Sequence, residues 1–425
     1  MILTSENLAI DFDKIPISEY WNDHNERESR MHKIHAYPAK FPAFIVSKSL
    51  GYARDKDLNV DSIADVFCGC GTTALEAKQY GVDFWGCDIN PVATLIARVK
   101  SQAYSLDRLN SVKDEIIQKI HTSDIEPPES ILNHGRINYW FEQEQIIDLY
   151  RLLSAIKETP RGKYRDFFLC AFSNILKPTS RWLTKSIKPQ IDPNKERKEA
   201  LSCFKIQVDN MIKGVGDVKD KIPSKSKTKI ETQNFLKKRV NTPFTDLLVT
   251  SPPYVTSYEY ADLHQLSTLW LGFTEDYREL REGTIGSLHH KNISTKDLDS
   301  INHIGKNIYM GLKKKQPLKA RSALKYFIDI DKAISKSYSI VNPGGMVVFV
   351  IGNTKYSGVK VDNAKFLTKC MLDAGFEQLE VVKRKVSSKI LTPYRDSKGK
   401  FSRDKRKRKV YGSEFIVIGR KTQNG

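Results

Sequence analysis

The sequence predicts an α/β fold in which a mostly parallel sheet of about seven strands, with an antiparallel edge hairpin, is interrupted by an inserted, mainly helical domain. Three observations predict it. Residues 62–99 run strand, glycine turn, helix, strand, helix, as SIADVF, CGCGTT, ALEAKQYG, VDFWGCD and INPVATLIARVK. Near-continuous apolar strands of this kind suit a parallel sheet covered on both faces. From about Ser101 to Val240 that rhythm stops, and in EQIIDLYRLLSAIK and YRDFFLCAFSNIL the apolar residues recur at three and four, the helical period. Strand chemistry then returns in TDLLVTSPPY and MVVFVIG, and the chain closes with FEQLEVVKRKV and EFIVIGRK.

Taken in order, residues 1–100 supply an aromatic, proline-containing entry segment and the first half of the sheet, 101–240 the helical insertion, and 241–425 the second half. The insertion ends in a lysine-rich stretch, residues 213–240, with little apolar content, which reads as a mobile basic surface segment. YADLHQLSTLWLGF reads as one helix with an apolar face, and YFIDIDKAISKSYSIVNPGG as a helix stopped by Pro-Gly-Gly before a strand.

Charge narrows the partner. Lys and Arg number 69 against 50 Asp and Glu, a formal charge of +19 over 425 residues, which points to a polyanion. The six cysteines are scattered without a CxxC pair or zinc spacing, so a reducing, cytoplasmic setting with free thiols and no metal is expected. The first residues, MILTSENLAIDFDKIP, lack the basic region of a signal peptide, and no apolar run approaches membrane-spanning length.

Chemistry concentrates in two turns. In the first, Gly69 and Gly71 stand where a strand must turn sharply into a helix while a ligand approaches the backbone, and Asp88 ends the next strand, suited to accept from the ribose hydroxyls of an adenosine cofactor. By itself this turn fits a nicotinamide dinucleotide and S-adenosylmethionine equally, since Gly69, Gly71 and Ala74 also satisfy the dinucleotide fingerprint. The second turn decides. Ser251, Pro252, Pro253 and Tyr254 follow an apolar strand, and such a turn has no role in hydride transfer. Two prolines withhold N–H donors and leave carbonyls free to accept. An exocyclic base amine, whose lone pair is delocalised into the ring, needs such acceptors. Ser251 and the Pro252 carbonyl can take its hydrogens, while Tyr254 stacks on a base flipped from the duplex.

These motifs resemble those of the S-adenosylmethionine-dependent DNA amino-methyltransferases of restriction-modification systems, whose fold is a Rossmann-like seven-stranded sheet. In that family the residues matching Phe67, Gly69 and Gly71 bind the cofactor and the acid matching Asp88 holds its ribose; Asp65, Thr72, Thr73 and Ile89, beside them in the sequence, are further cofactor-binding candidates. The serine of SPPY resembles the cytosine-N4 group. HAYPAKFP is similar to a segment that closes over the methionine part of the cofactor, which assigns Tyr37, Pro38, Ala39, Lys40 and Phe41 to it. Asn353, Thr354 and Tyr356, in the loop GNTKYSGVKVDN, correspond to positions lining the base pocket. The resemblance leaves residues 101–240 largely uncovered, and these are expected to recognise the target.

Double-stranded DNA is accordingly the expected partner. Arg181, Trp182, Lys185, Lys188 and Gln190, in SRWLTKSIKPQIDP, are the candidates for reading bases. The run Lys405, Arg406, Lys407, Arg408 and Lys409, together with residues 213–240, is the candidate for phosphate contact. No nuclease signature stands out, so any restriction endonuclease partner is expected as a separate chain. Competing readings are adenine-N6 methylation, RNA methylation, a catalytically silent DNA-binding protein and a nicotinamide dehydrogenase. The last lacks a recognisable proton-transfer His or Tyr-Lys pair.

Overall fold

The structure is a computed structural model. It describes all residues except 1, 4–7, 23–26, 39, 41, 123, 223–224, 256–258, 288–293, 387–393, 396–400, 403, 405–407, 410–411 and 424–425. Seven strands form the main sheet: β1 Ser62–Asp65, β2 Asp83–Asp88, β3 Thr228–Thr232, β4 Thr245–Thr250, β5 Val341–Ile351, β6 Glu377–Lys385 and β7 Ser413–Arg420. Their spatial order is β3-β2-β1-β4-β5-β7-β6, and the two-residue strand Ile2–Leu3 is added beyond β6. The first five are parallel, and β7 runs antiparallel between β5 and β6.

Both faces of the sheet are apolar, which is why its strands read as unbroken hydrophobic runs rather than alternating ones. Leu247, Val249, Val348, Val350, Ile416 and Ile418 face helices α1 (Phe44–Asp55) and α2 (Thr72–Gln79). The intervening Leu248, Val347, Phe349, Phe415 and Val417 face α10 (His303–Lys313), α11 (Pro317–Ile340) and α12 (Asn363–Asp373). Helix α3 (Pro91–Lys100) starts at Asn90, whose side-chain oxygen accepts from the amides of Val92 and Ala93, with Pro91 in the first turn where its missing N–H costs nothing.

The insertion carries the long helices α4 (Leu106–Thr122), α5 (Gln143–Glu158), α6 (Lys163–Thr179) and α7 (Ala200–Val218). Its core is continuous with the sheet domain: Phe167, Phe172 and Phe204 lie in one buried cluster with Leu75, Val92 and Ile96 of α2 and α3. The helices therefore brace the β1–β2 half of the sheet through α2 and α3.

Three expectations need correction. The basic stretch 213–240 is not a loose segment, because it begins within α7 and then supplies β3, paired in parallel with β2 from Phe84↔Thr228 to Asp88↔Thr232. Lys229 on this short edge strand deters pairing with other chains, and the lysines around it mask its sheet role. The segment YADLHQLSTLW is two short helices, α8 (Tyr260–Leu263) and α9 (Gln265–Trp270), broken at His264. The Pro-Gly-Gly stop lies inside β5, which starts at Val341, and the β4–β5 register shifts there, with Gly344 at φ 79°.

Candidate active site

The sheet reverses its winding between β1 and β4, so their carboxyl ends open the crevice where α/β sheets bind ligands. Both sequence turns meet there. From β1 the chain passes through Gly69 (φ 46°) and Gly71 (φ 77°) into α2. A Cβ on Gly71 would stand 2.6 Å from the Ala97 Cα, so only glycine lets α2 start against α3. A Cβ on Gly69 would stand 3.5 Å from the Tyr37 hydroxyl oxygen, which identifies Tyr37 as the ring over the turn.

Asp88, at the end of β2, holds that turn in shape. One carboxylate oxygen accepts from the Gly69 amide at 3.0 Å and the other from the Asn90 amide at 2.9 Å, and the Ile89 amide also donates to it. Burial raises its carboxyl pKa, and these three amides oppose the rise. Ile89, half-buried, lies 3.2 Å from where a Cβ on Gly283 would be, so the 281–287 segment closes this side. Phe67 meets Phe235 edge to face at 6.5 Å.

Asp65 lies between the two turns and faces inward. It accepts from the Thr250 hydroxyl at 2.6 Å, the Thr73 hydroxyl at 2.8 Å and the Phe67 amide at 3.1 Å. This ties the end of β4, immediately before Ser251, to the glycine turn, so Asp65 contacts the protein's own hydroxyls where a ligand contact was expected. Thr72 and Thr73 are likewise buried at the start of α2.

Burial raises the Asp65 carboxyl to about 6 even though all three donors favour its charged form. Its ordinary value is near 4, so between about pH 4 and 6 the folded protein holds a proton that the unfolded chain has released. The resulting stabilisation is complete below that window and is lost as pH rises through 6. Asp65→Asn lacks this titration. The stability of the variant relative to the parent is therefore expected to rise from pH 4 to 7, by on the order of 3 kcal/mol. Parallel pH profiles from thermal unfolding would contradict the assignment.

The entry segment is held by the helical insertion. Asn174 accepts from the Ala36 amide at 2.9 Å and donates to Gln207 at 2.8 Å, and Gln207 donates to the Ile34 carbonyl at 2.7 Å. Tyr37 is thereby set over the glycine turn, stacked on Tyr260 (5.7 Å between centroids, 15° between planes) and 5.1 Å from His264. Burial, then the nearby Asp88 charge, pushes the Tyr37 phenol well above its ordinary pKa and keeps it a donor. Pro38 is half-buried beside it, while Ala39 and Phe41 lie outside the described residues. Lys40 is bound at home, donating to Glu28 at 2.7 Å and to the His32 carbonyl at 3.1 Å.

Three participants escaped the sequence reading. Asn90 donates from Nδ2 to His264 Nδ1 at 2.7 Å, because its oxygen is occupied by the α3 amides. Burial lowers His264 to about 4, so the ring is neutral and that hydrogen bond assigns its proton to Nε2, which is buried without a partner among the described residues. Lys100, fully buried, directs its ammonium to the Cys70 thiol at 3.3 Å beneath the turn. Asn90 was legible as a helix cap before Pro91, whereas nothing in the local sequence marks His264 or Lys100.

Across the crevice, Ser251 donates its hydroxyl proton to the Val350 carbonyl at 3.0 Å. With its proton committed, the oxygen can only accept, and beside the side-chain hydrogen bond it shares with the Tyr254 phenol it keeps one further lone pair. Pro252 is buried. Tyr254 is half-buried against Gly352, where an added Cβ would lie 3.0 Å from its ring, and its hydroxyl faces Glu414 at 3.4 Å. Glu414 is paired with the buried Arg384 at 2.6 Å.

The remaining candidates divide. Asn353 bonds Asp362 with its amide nitrogen (2.9 Å) and the Ala364 amide with its oxygen (3.0 Å), so it fastens the start of α12. Thr354 and Tyr356 are half-buried on a small hairpin, Thr354–Tyr356 with Val359–Val361, that follows β5. Trp182 is corrected outright: it is 2% exposed, stacked on Trp140 at 5.0 Å, and cannot reach a base edge. Arg181 is half-buried, its Nε without a partner among the described residues, whereas Lys185, Lys188 and Gln190 are exposed. Lys405, Arg406 and Lys407 lie outside the described residues, and Arg408–Lys409 is a two-residue strand beside Tyr394–Arg395.

A seven-stranded sheet with an antiparallel β7 inside its edge, carrying a glycine turn and an SPPY turn at its switch point, defines the methyltransferase fold class. Residues 8–98 match the N6/N4 DNA methylase family, described as DNA methylase. The chain is also similar to the type II methyltransferase M.MvaI of Kocuria varians, at 22% identity over 84% of each chain. It is 24% identical to the type II methyltransferase M.BsoBI of Geobacillus stearothermophilus, over 76% of this chain and 74% of that one. A SAM-dependent methyltransferase structure from Methanosarcina mazei aligns over 87% of this chain and 96% of that chain at 9% identity, with a TM-score of 0.29. No helix among the described residues is long and apolar enough to cross a membrane.

Proposed function

We propose that this chain is a DNA methyltransferase that uses S-adenosylmethionine to methylate the N4 amine of a flipped-out cytosine within a specific site. The observation that carries the reading is the Ser251 hydroxyl. Its proton is given to Val350, so its oxygen is a ready acceptor at the mouth of the crevice shared with the Gly69–Gly71 turn. The match over residues 8–98 and the two type II methyltransferase relatives support DNA as the polymer.

The cofactor fits the residues present. Asp88 offers a carboxylate beside the turn, Tyr37 and Tyr260 form an aromatic cover, and His264 holds an N–H without a partner among the described residues next to Tyr37. When bound, S-adenosylmethionine supplies an electrophilic methyl group on its sulfonium. Ser251 and the Pro252 carbonyl accept the two amine hydrogens of cytosine, concentrating its lone pair on nitrogen, and Tyr254 stacks on the extruded ring. Extrusion costs roughly a few kcal/mol. The rate gain then comes from alignment and fixed acceptors, and no cysteine nucleophile takes part.

The purified protein is expected to transfer a labelled methyl group from S-adenosylmethionine to unmethylated duplex DNA in a form released by DNase and not by RNase. Label transfer to RNA alone would overturn the choice of polymer. Cofactor binding without transfer to either would overturn the catalytic reading.

A further inference from the structure

The corner between α10 and α11 is a strongly basic surface to which neither motif draws attention. Lys313, Lys314 and Lys315 end α10 and are exposed, and Lys319 and Arg321 follow in the first turns of α11. No acidic residue occurs between His303 and Ile328. Among the described residues, no carboxylate lies within 4 Å of Lys313, Lys314, Lys315 or Lys319. Lysines at the end of α10 are explained by its dipole, but Lys319 and Arg321 stand at the positive end of α11, where cations are disfavoured and carboxylates would be expected. Lys313, Lys314, Lys315 and Lys319, gathered here without a neighbouring carboxylate among the described residues, form a surface suited to an anion from outside.

Geometry connects this corner to the catalytic turn. Lys319 donates to the Ser357 hydroxyl at 3.0 Å and stands 5.2 Å from the centre of the Tyr356 ring, and the Lys315 ammonium is 3.3 Å from the Cβ position of Gly358. These contacts fix the corner to the hairpin that leaves β5, just beyond Gly352 and Tyr254. Lys355 adds a further exposed cation on that hairpin. The positive surface thus runs from Lys355 on the first strand of the hairpin outward along the corner, whereas Lys360 on its second strand is paired with Asp11, Asp13 and Asp362.

We infer that the α10–α11 corner, with the hairpin, binds the phosphodiester backbone of double-stranded DNA next to the target base. The inference rests on the proposed function and adds where the duplex lies. Each phosphate neutralised by a lysine steepens the salt dependence of binding by about 0.9 in log K per log salt. Lys314→Gln with Lys315→Gln is therefore expected to make that slope shallower by about 1 to 2 in titrations of a duplex.

The control removes the same charge from Arg54 and Lys56, exposed at the end of α1, where the Lys56 carbonyl accepts from Arg420 at the end of β7, opposite Met346 near the start of β5 and away from the hairpin that leaves its other end. It is expected to leave the slope unchanged. Cofactor affinity, measured by calorimetry, and the single-turnover rate at saturating DNA are expected to match the parent in both variants. An unchanged slope in the corner variant, or an equal change in the control, overturns the inference while parental methylation leaves the proposed function standing. A parent protein that binds RNA more tightly than duplex DNA of equal length also overturns it. A parent that transfers no methyl group at all would remove the proposed function itself.

Discussion

Ser251→Ala is expected to slow methyl transfer by about 10²- to 10³-fold in single-turnover measurements while leaving S-adenosylmethionine affinity unchanged. The size follows from what is lost: a fixed acceptor placed where the amine nitrogen becomes positively charged, in a site that needs no reorganisation at the moment of reaction. Selectivity for kcat follows from position. Ser251 belongs to the end of β4 and bonds to Val350 of β5, away from the Asp88 and Tyr37 side of the crevice. Ser251→Asp, which restores an acceptor, is expected to recover part of the rate. A parental rate in Ser251→Ala would remove the serine from the chemistry, and a large loss of cofactor affinity would turn it into a structural residue.

Asp88→Ala is the second large effect, and it falls on binding. The carboxylate accepts from the amides of Gly69, Ile89 and Asn90, so its removal leaves three donors at the turn without their partner and takes away the acceptor offered to ribose. Hydrogen bonds to a charged group contribute about 1.5 to 3 kcal/mol each, so the loss of the ribose contact and the slackened turn together should weaken S-adenosylmethionine binding by about 100-fold or more. Asp88→Asn keeps one acceptor oxygen and should fall between. Calorimetry reads both, and unchanged affinity in Asp88→Ala would contradict the assignment.

The parts of this fold legible in the sequence are those whose physics is local. β1, β2, β4 and β7 are apolar runs buried on both faces, and the glycine turn and SPPY carry backbone constraints that only glycine and proline impose. β3 was not legible, because TKIET is a short, lysine-bearing edge strand whose partner, β2, lies about 140 residues earlier in the chain. The start of β5 was hidden by Asn-Pro-Gly-Gly, which normally ends structure and here sits in an irregular stretch of strand.

In the site, Asp88 ends β2 with a bond to the Gly69 amide, and Ser251 follows β4 with a bond to Val350. Asp65 turns out to be a tie between the two turns, because Thr73 and Thr250 reach it from different elements, and local sequence does not report such convergence. His264 and Glu414 are invisible for the same reason: each matters through Asn90, Tyr37 or Tyr254, which come from distant parts of the chain. Trp182 misled because an aromatic among cations suggests a nucleic-acid contact, whereas here it stacks on Trp140 in the core of the insertion.

The most direct test of the central claim is to express the protein in a host that lacks DNA methylation, digest the genomic DNA to nucleosides and identify any methylated base by mass spectrometry. N4-methylcytosine, absent when Ser251→Ala is expressed at the same level, is the expected result. N6-methyladenine in its place would contradict the base assignment, and DNA free of any methylated base would contradict the account of the active site.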